Sequence, residues 1–263
     1  MKHVLITGAY GGRGKAAVNA FQQAGYFVFA IDRKVGDEEE NVLPIEYDAT
    51  DLGSIERAVA IVKSHTETLD AIVHFAGIYT LNSLVEITEA EFKRVFDVNV
   101  FGVYRINKAF LPLLTKGSKL VITTSELAPL DPLPFTGLYA VAKSTLDKYA
   151  YSLRMELQLL GISVSVLRPG AVETELLDVS TKALDEFCKN TKLYTCNAER
   201  FKRVVDGVES RKILPEKAAK KTLKIVQARK PKYVYSINRN PLLLLLNLLP
   251  KRMQTAIIRY ILR

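Results

Sequence analysis

Tyr139 and Lys143 stand at i and i+4 in a run from Gly137 to Leu160 whose apolar residues recur at helical spacing and which stops at Gly161. On a helix the two side chains share one face. A free tyrosine titrates near pH ~10, and an ammonium beside it favours the phenolate; a shift of about three units corresponds to about 4 kcal/mol of differential stabilisation. Such a tyrosine gives and takes protons near neutrality. Tyr-x-x-x-Lys is frequent by chance, so the surrounding residues decide whether it is more than a surface pair. Ser125 ends the apolar run Val121-Ile122-Thr123-Thr124-Ser125. Asn99, in Asp97-Val98-Asn99-Val100-Phe101-Gly102, falls inside a second helical pattern, where an amide is mildly unfavourable unless it bonds to backbone or serves a site. Arg168-Pro169-Gly170-Ala171-Val172-Glu173-Thr174 follows a further apolar run and reads as a loop able to close over a ligand, with Thr174 supplying a hydroxyl.

Near the N-terminus, Thr7-Gly8-Ala9-Tyr10-Gly11-Gly12-Arg13-Gly14 separates a short apolar run from a helical pattern through Val18 and Phe21. Glycines there permit positive φ angles and close backbone approach, and the helix N-terminus offers free N–H groups to an anion, so the turn suits a pyrophosphate. A lone glycine cluster is weak evidence; a strand before it and a helix after it strengthen the reading. Asp32 ends the second apolar run, 18 residues beyond Gly14, where a carboxylate accepts hydrogen bonds from adenosine ribose hydroxyls. That favours NAD, although Arg33 and Lys34 follow at once and are placed to meet the 2′-phosphate of NADP. In Asp48-Ala49-Thr50-Asp51, Asp48 is placed to receive the adenine amino group, and the helix N-cap falls to Asp51.

These residues need elements to hold them. Short runs rich in Val, Ile and Phe alternate with longer helical patterns, which predicts βαβ units and a parallel sheet. Strands are expected near Lys2 to Thr7, Tyr26 to Asp32, Val42 to Tyr47, Leu69 to Phe75, Lys119 to Thr124, Ile162 to Leu167 and Tyr233 to Ile237. Thr88-Glu89-Ala90-Glu91 reads as a capping box opening a long helix toward Leu114. Between Leu176 and Leu214 the pattern loses regularity, with Phe187, Tyr194 and Phe201 among polar residues, and is expected to be an insertion beside the substrate. The 263 residues suit one domain. Hydrophobic residues at 48% and charged residues at 25% exclude a disordered tail protein and a polytopic membrane protein. Cys188 and Cys196 form neither a disulfide framework nor a metal cluster, which predicts reduced thiols in the cytoplasm and no metal. No apolar stretch of signal-peptide length precedes the glycine turn, so the mature chain is expected to start at Met1.

Taken in order and spacing, the turn at Thr7 to Gly14, the Asp48 segment, Asn99, Ser125, Tyr139 with Lys143, and Pro169-Gly170 resemble the short-chain dehydrogenase/reductase family over roughly residues 2 to 175. The resemblance implies a Rossmann-type α/β fold, doubly wound, with seven parallel strands in the order 3-2-1-4-5-6-7 and helices on both faces. It also implies a homodimer or homotetramer through the two long helices. By carry-over, Tyr139 passes the proton, Ser125 holds the substrate oxygen, Lys143 binds the nicotinamide ribose and lowers the tyrosine pKa, and Asn99 anchors a proton-relay water. Gly8, Tyr10, Gly12, Arg13, Gly14, Asp32, Arg33, Asp48, Ala49, Ala76, Gly77, Asn99, Tyr139, Lys143, Pro169, Gly170, Val172 and Thr174 would then meet NAD or NADP.

Departures limit the transfer. The usual Asn-Asn-Ala-Gly is His74-Phe75-Ala76-Gly77, and His74, with no carboxylate partner evident, reads as a buried structural residue. Tyr10 replaces a small residue, and Arg13 replaces a usual Ile or Leu and either adds a cation near the diphosphate or points to solvent. Ser125 and Tyr139 are 14 positions apart, one more than is common, so the segment with Pro129, Pro132 and Pro134 is expected to be a rigid irregular loop. The chain continues past the last strand in a leucine-rich basic appendage, residues 241 to 263, a layout similar to hydroxysteroid and retinol dehydrogenases. With Leu176, Leu177, Phe187 and Tyr194 this points to a bulky apolar alcohol or ketone, steroid-like or bile-acid-like, although core packing or a dimer seam would equally use the leucines.

Two other classes compete: a nucleotide-sensing regulatory protein that has lost catalysis, which a complete tetrad argues against, and a nucleic-acid-binding module using the net charge of +9. Residues 200 to 263 hold 17 Lys and Arg against three acids, a local +14, while the remainder has 20 bases and 25 acids, −5. The excess therefore belongs to the tail and no nucleic acid is expected. Seven leucines between Pro241 and Pro250 are too few to span a bilayer of about 30 Å, which leaves a peripheral membrane contact as one use of the appendage.

Overall fold

In β1 (Lys2–Thr7) successive side chains leave the strand in opposite directions, and both directions are buried: Val4 and Ile6 enter one apolar cluster and Leu5 another. The same division holds along β2 (Tyr26–Asp32), β4 (Leu69–His74) and β5 (Leu114–Thr123), so apolar helices must cover both faces of the sheet. With β3 (Val42–Glu46), β6 (Ser163–Pro169) and β7 (Val234–Ile237) these strands form a parallel sheet of order β3-β2-β1-β4-β5-β6-β7, as the resemblance implied. The computed structural model describes residues 1–209 and 211–263, with the backbone alone for residues 175–180, 208 and 209.

One face carries α2 (Leu52–His65), α4 (Gly102–Phe110) and α5 (Gly137–Leu157), which contribute Ile55, Ile106 and Leu146 to the first core; α1 (Gly12–Gln23) and α8 (Pro215–Gln227) contribute Phe21 and Ile225 to the second. Asp51 caps α2, its side chain accepting from the Gly53 N–H at 2.8 Å, as read from the sequence. A turn of 3-10 helix carries α5 to Gly161, whose φ of +73° ends it.

Two expectations change. The long helix from Thr88 is not continuous: α3 (Glu89–Phe96), opened by the predicted capping box, gives way to a π turn at Asp97–Phe101 before α4. The wider turn accommodates the buried Asn99, and π segments recur at functional sites. Residues 176 to 214 are not irregular: α6 (Glu175–Asn190) and α7 (Thr195–Glu209) form there, because Leu184 with Phe187 and Ala198 with Phe201 recur at helical spacing and close on Phe135. The side chains of Leu176 and Leu177 lie outside the described residues. The appendage folds as two helices, α9 (Pro241–Leu248) and α10 (Lys251–Leu262), divided at Pro250, and Leu262 joins the cluster of α6 and α7.

His74 is buried and bonds through Nε2 to Asn107 Oδ1 at 2.8 Å, while Asn107 Nδ2 donates to the Tyr149 hydroxyl at 3.2 Å. Burial, and then the Lys143 charge, pull its pKa down to about 4, so it is neutral and structural, as expected. α5 is held to the sheet by a largely buried fork: Arg168 Nε donates to Asp147 Oδ1 at 2.9 Å and Nη2 to Oδ2 at 2.6 Å, with Thr124 Oγ1 adding a third bond to Oδ1. Removing one partner strands the other charge. We predict that Asp147→Ala lowers unfolding free energy by about 3 kcal/mol in urea titration, whereas a loss below about 1 kcal/mol would place the pair among exposed ion pairs of little consequence.

Candidate active site

The sheet reverses direction of winding at β1, which pairs with both β2 and β4, and the crevice beyond its carboxyl end is where such folds bind ligands. Gly8 adopts φ +67° there, and a Cβ on it would lie 2.5 Å from the Ala76 nitrogen; on Gly14 it would lie 1.9 Å from the Gly8 carbonyl oxygen. Bare backbone is thus required at both. The turn opens a cleft of about 950 Å³ lined by Gly8, Gly12, Arg13, Gly14, Asp32, Arg33, Asp48, Ala49, Ala76, Gly77 and Thr174. That volume and the free N–H groups at the start of α1 suit a dinucleotide.

Its adenosine end is built from short turns. Asp32 Oδ2 accepts from the Tyr10 N–H at 2.9 Å and Oδ1 from the Arg33 N–H at 2.7 Å, which fixes the carboxylate at the end of β2. Asp48 Oδ1 accepts from the hydroxyl and N–H of Thr50, and these bonds hold its carboxyl below the ordinary value. Tyr10 turns away: its ring packs where a Gly36 Cβ would stand, and it does not line the cleft. At the other end, Thr174 lies against Gly12, so the loop after β6 is folded over the glycine turn. The Glu173 N–H tethers that loop to the Ile213 carbonyl at 2.9 Å.

Arg13, Tyr79 and Thr174 line both this cleft and a second, smaller cavity, whose wall carries Ser125 and Tyr139. Tyr139, in the first turn of α5, is 8% exposed, and its ring meets that of Tyr79 edge-on at 4.5 Å. Burial pushes its phenol up; the Arg13 charge and a hydrogen bond with Ser125 pull it back. Lys143 Nζ donates to the Thr123 carbonyl at 3.2 Å and lies 5.7 Å from the centre of the Tyr139 ring. Burial first, and then the Arg13 charge, bring its pKa down to about 7. Asn99 is fully buried and clamps one residue: Oδ1 accepts from the Ile78 N–H at 2.9 Å and Nδ2 donates to the Ile78 carbonyl at 2.8 Å. A Cβ at Gly77 would lie 2.7 Å from Asn99 Oδ1 and 3.5 Å from Lys143 Nζ, so these residues converge behind the cleft.

The sequence profile of the family described as short chain dehydrogenase matches residues 2–185 of this chain. The chain belongs to the short-chain dehydrogenase family. It is accordingly an NAD(P)-dependent oxidoreductase. Among relatives, a 3-ketodihydrosphingosine reductase of Bacteroides thetaiotaomicron is 26% identical over 231 residues, covering 88% of this chain and 85% of that one. An NADPH-dependent 1-acyldihydroxyacetone phosphate reductase of Schizosaccharomyces pombe is 30% identical over 182 residues, 66% of this chain and 61% of that one. Among solved structures, the 3-ketoacyl-(acyl-carrier-protein) reductase of Brucella melitensis, complexed with NADH, superposes with a TM-score of 0.72 at 23% identity, covering 90% of this chain and 95% of that one.

In this short-chain dehydrogenase the second cavity, about 150 Å³, is lined by Ser125, Tyr139, Pro169, Gly170, Val172 and Thr174 from the predicted set. Its other walls include Tyr79, Glu126, Phe201, Val204, Val205 and Leu243, from four separate stretches of sequence, of which only Phe201 was named in the segment expected beside the substrate. Burial raises the Glu126 carboxyl, opposed by the Asn240 N–H that donates to Oε2 at 2.7 Å and by the Arg239 charge. Phe135, at φ +64° in the loop before α5, bears out the expected irregular segment and packs against the rings of Phe187, Tyr194 and Phe201 at 5.0 to 5.3 Å. No signal in the sequence separates these from other apolar residues.

Arg13 resolves the other way from solvent. It lines both cavities, and its charge acts on Tyr139 and Lys143 together. Lys143 was expected to be the cation that lowers the tyrosine; here Arg13 takes that part, and the two cations repel. Arg13→Leu should therefore raise the titration midpoint of Lys143 above about 7, by about one unit, in NMR spectra of lysine-labelled protein. An unmoved midpoint would refute the coupling.

Proposed function

We propose that residues 1–263 act as one oxidoreductase domain that interconverts a secondary alcohol and its ketone, with Tyr139 as general acid and base. The observation that carries this reading is the placement of Tyr139 and Ser125 on the wall of an apolar cavity that shares Arg13, Tyr79 and Thr174 with the dinucleotide-sized cleft, with Arg13 and Lys143 beside the phenol. When bound, the nicotinamide supplies or accepts the hydride at C4. Gly8, Gly12, Gly14, Ala76 and Gly77 would hold the cofactor through bare backbone, Asp32 its adenosine ribose, Asp48 and Ala49 its adenine side, and Pro169, Gly170, Val172 and Thr174 its nicotinamide side. Asp32, already oriented by two backbone N–H groups, favours NAD. Arg33 beside it in the cleft is the residue that would accept NADP instead.

In reduction Tyr139 donates its phenolic proton to the carbonyl oxygen, which the Ser125 hydroxyl positions, and the phenolate formed is stabilised by Arg13 and Lys143. Lys143, with a pKa brought to about 7, can return the proton to the tyrosine. The Asn99 side chain is spent on Ile78, so a relay water would have to be held by its main-chain carbonyl within the π turn.

The substrate we favour is bulky and apolar, a reading supported by Phe201, Val204, Val205 and Leu243 in the cavity wall. At about 150 Å³ the cavity is smaller than the ~300 to 1,000 Å³ that encloses a drug-sized ligand, so it takes the reacting end of an elongated molecule more readily than a whole steroid or bile-acid nucleus. The two relatives named for long-chain or acylated keto lipids agree with that choice. α3, α4 and α5 leave Phe92, Tyr104 and Tyr151 exposed, which suits the homodimer or homotetramer expected through them.

The test is Tyr139→Phe assayed with NADH and NADPH against long-chain ketones. Cofactor binding should persist while turnover falls by roughly a thousandfold, in keeping with the loss of a general acid. Undiminished turnover would remove Tyr139 from the chemistry.

A further inference from the structure

Six of the eight residues of α9 are leucine, yet the helix is not absorbed into the core. Asn240 caps it through the Leu242 N–H at 2.9 Å, and Leu243 turns inward to line the apolar cavity. Leu242, Leu245 and Leu248, at i, i+3 and i+6, form an outward ridge and are 64%, 60% and 81% exposed. Core packing, one of the two bland uses of these leucines, is thereby spent on the other side of the helix. No helix among the described residues is long and apolar enough to cross a membrane, and α9 at ~1.5 Å per residue measures only about 12 Å.

The next helix repeats the arrangement with charge added. Gln254, Ile258 and Leu262 recur at i, i+4 and i+8 and face the protein, where Gln254 Nε2 donates to Asp131 Oδ2 and the Leu262 carbonyl accepts from Asn197 Nδ2 at 2.5 Å. Met253, Ile257, Tyr260 and Ile261 form an exposed apolar stripe, and Arg252, Arg259 and Arg263 run alongside it. Residues 241–263 contain no acidic side chain. An apolar stripe flanked by cations of one sign is the pattern of a helix lying in the plane of an anionic lipid surface.

The two helices are tied together and to the cavity wall, because Asp131 pairs with Lys251 and its N–H donates to Asn247 Oδ1 at 2.7 Å. We infer that the outer face of α9 and α10 docks this protein on an anionic lipid bilayer. A second copy of the chain fits this face less well, since a two-fold contact would bring like cations together around the leucine ridge. Docking sets Leu243 and the exposed Val204, which share the cavity wall, next to the lipid, so an apolar substrate enters from the bilayer without crossing water. This last clause rests on the elongated apolar substrate proposed above; the docking itself does not.

The chain has no tryptophan, so Leu245→Trp installs a single reporter. With vesicles of phosphatidylglycerol and phosphatidylcholine its emission should shift to the blue and the protein should float. Pure phosphatidylcholine, or about 0.5 M salt, where the Debye length falls below ~5 Å, should weaken flotation by about tenfold. The wild type should float likewise. Neither Leu242→Ser/Leu245→Ser/Leu248→Ser nor Arg252→Glu/Arg259→Glu should float, while both retain cofactor binding and the wild-type melting temperature. A wild type that stays at the bottom of the gradient overturns the proposal. So do variants that float undiminished, or leucine variants whose only change in sedimentation equilibrium is dissociation of a dimer. Flotation needs no turnover, so an inactive assay and a failed docking are separate results.

Discussion

The fork between Arg168 on β6 and Asp147 on α5 fixes the one helix on which the chemistry depends. Asp147 lies one turn beyond Lys143 and two beyond Tyr139, so pinning it to β6 sets both the depth and the rotation of that face. Its partner Arg168 begins the loop that ends at Thr174, where α6 starts and Gly12 is touched. One buried, hydrogen-bonded charge pair thereby relates the proton-bearing residues, the lid loop and the glycine turn to a common sheet edge. Its desolvation is offset by two parallel bonds and by the Thr124 hydroxyl, the geometry in which an ion pair away from water is stable.

Electrostatics at the site follow from crowding two cations beside one phenol. Lys143 is drawn toward neutrality by burial and by Arg13, and Tyr139 is held by burial on the protonated side against the pull of Arg13. A lysine near pH 7 holds its proton less tightly than a phenol that burial pushes up, so a proton on Lys143 passes readily to a Tyr139 phenolate. Arg13 also explains why a glycine turn can tolerate a long side chain in its last third: the guanidinium extends past the cleft to the tyrosine instead of crowding the backbone that Gly8 and Gly14 keep bare.

Much of the site could be read along the chain because its parts are local. Tyr139 and Lys143 share a helix face by their spacing, Asp51 and Thr88 announce helix starts, and the strands declare themselves as apolar runs buried on both sides. The π turn around Asn99 was hidden, because an α-helix and its one-residue-wider variant have the same apolar rhythm over so few residues. Residues 176 to 214 looked irregular because α6 and α7 bury only a narrow stripe, against Phe135 and Leu262 from distant segments, and remain polar elsewhere.

By itself the sequence determined the family, the strand order that goes with it, and the residues able to move a proton, since each depends on type and spacing within one element. Tertiary structure decided which side chains share a cavity and which charges act on one another. Arg13 and Tyr139 are 126 positions apart, and Asp131 meets Lys251 across 120. Contacts of that kind arise only when the sheet and its covering helices bury their apolar faces together, and no periodicity along the chain encodes them. The leucines of α9 make the same point: composition showed that they were apolar, and only the packed fold showed which of them remained outside.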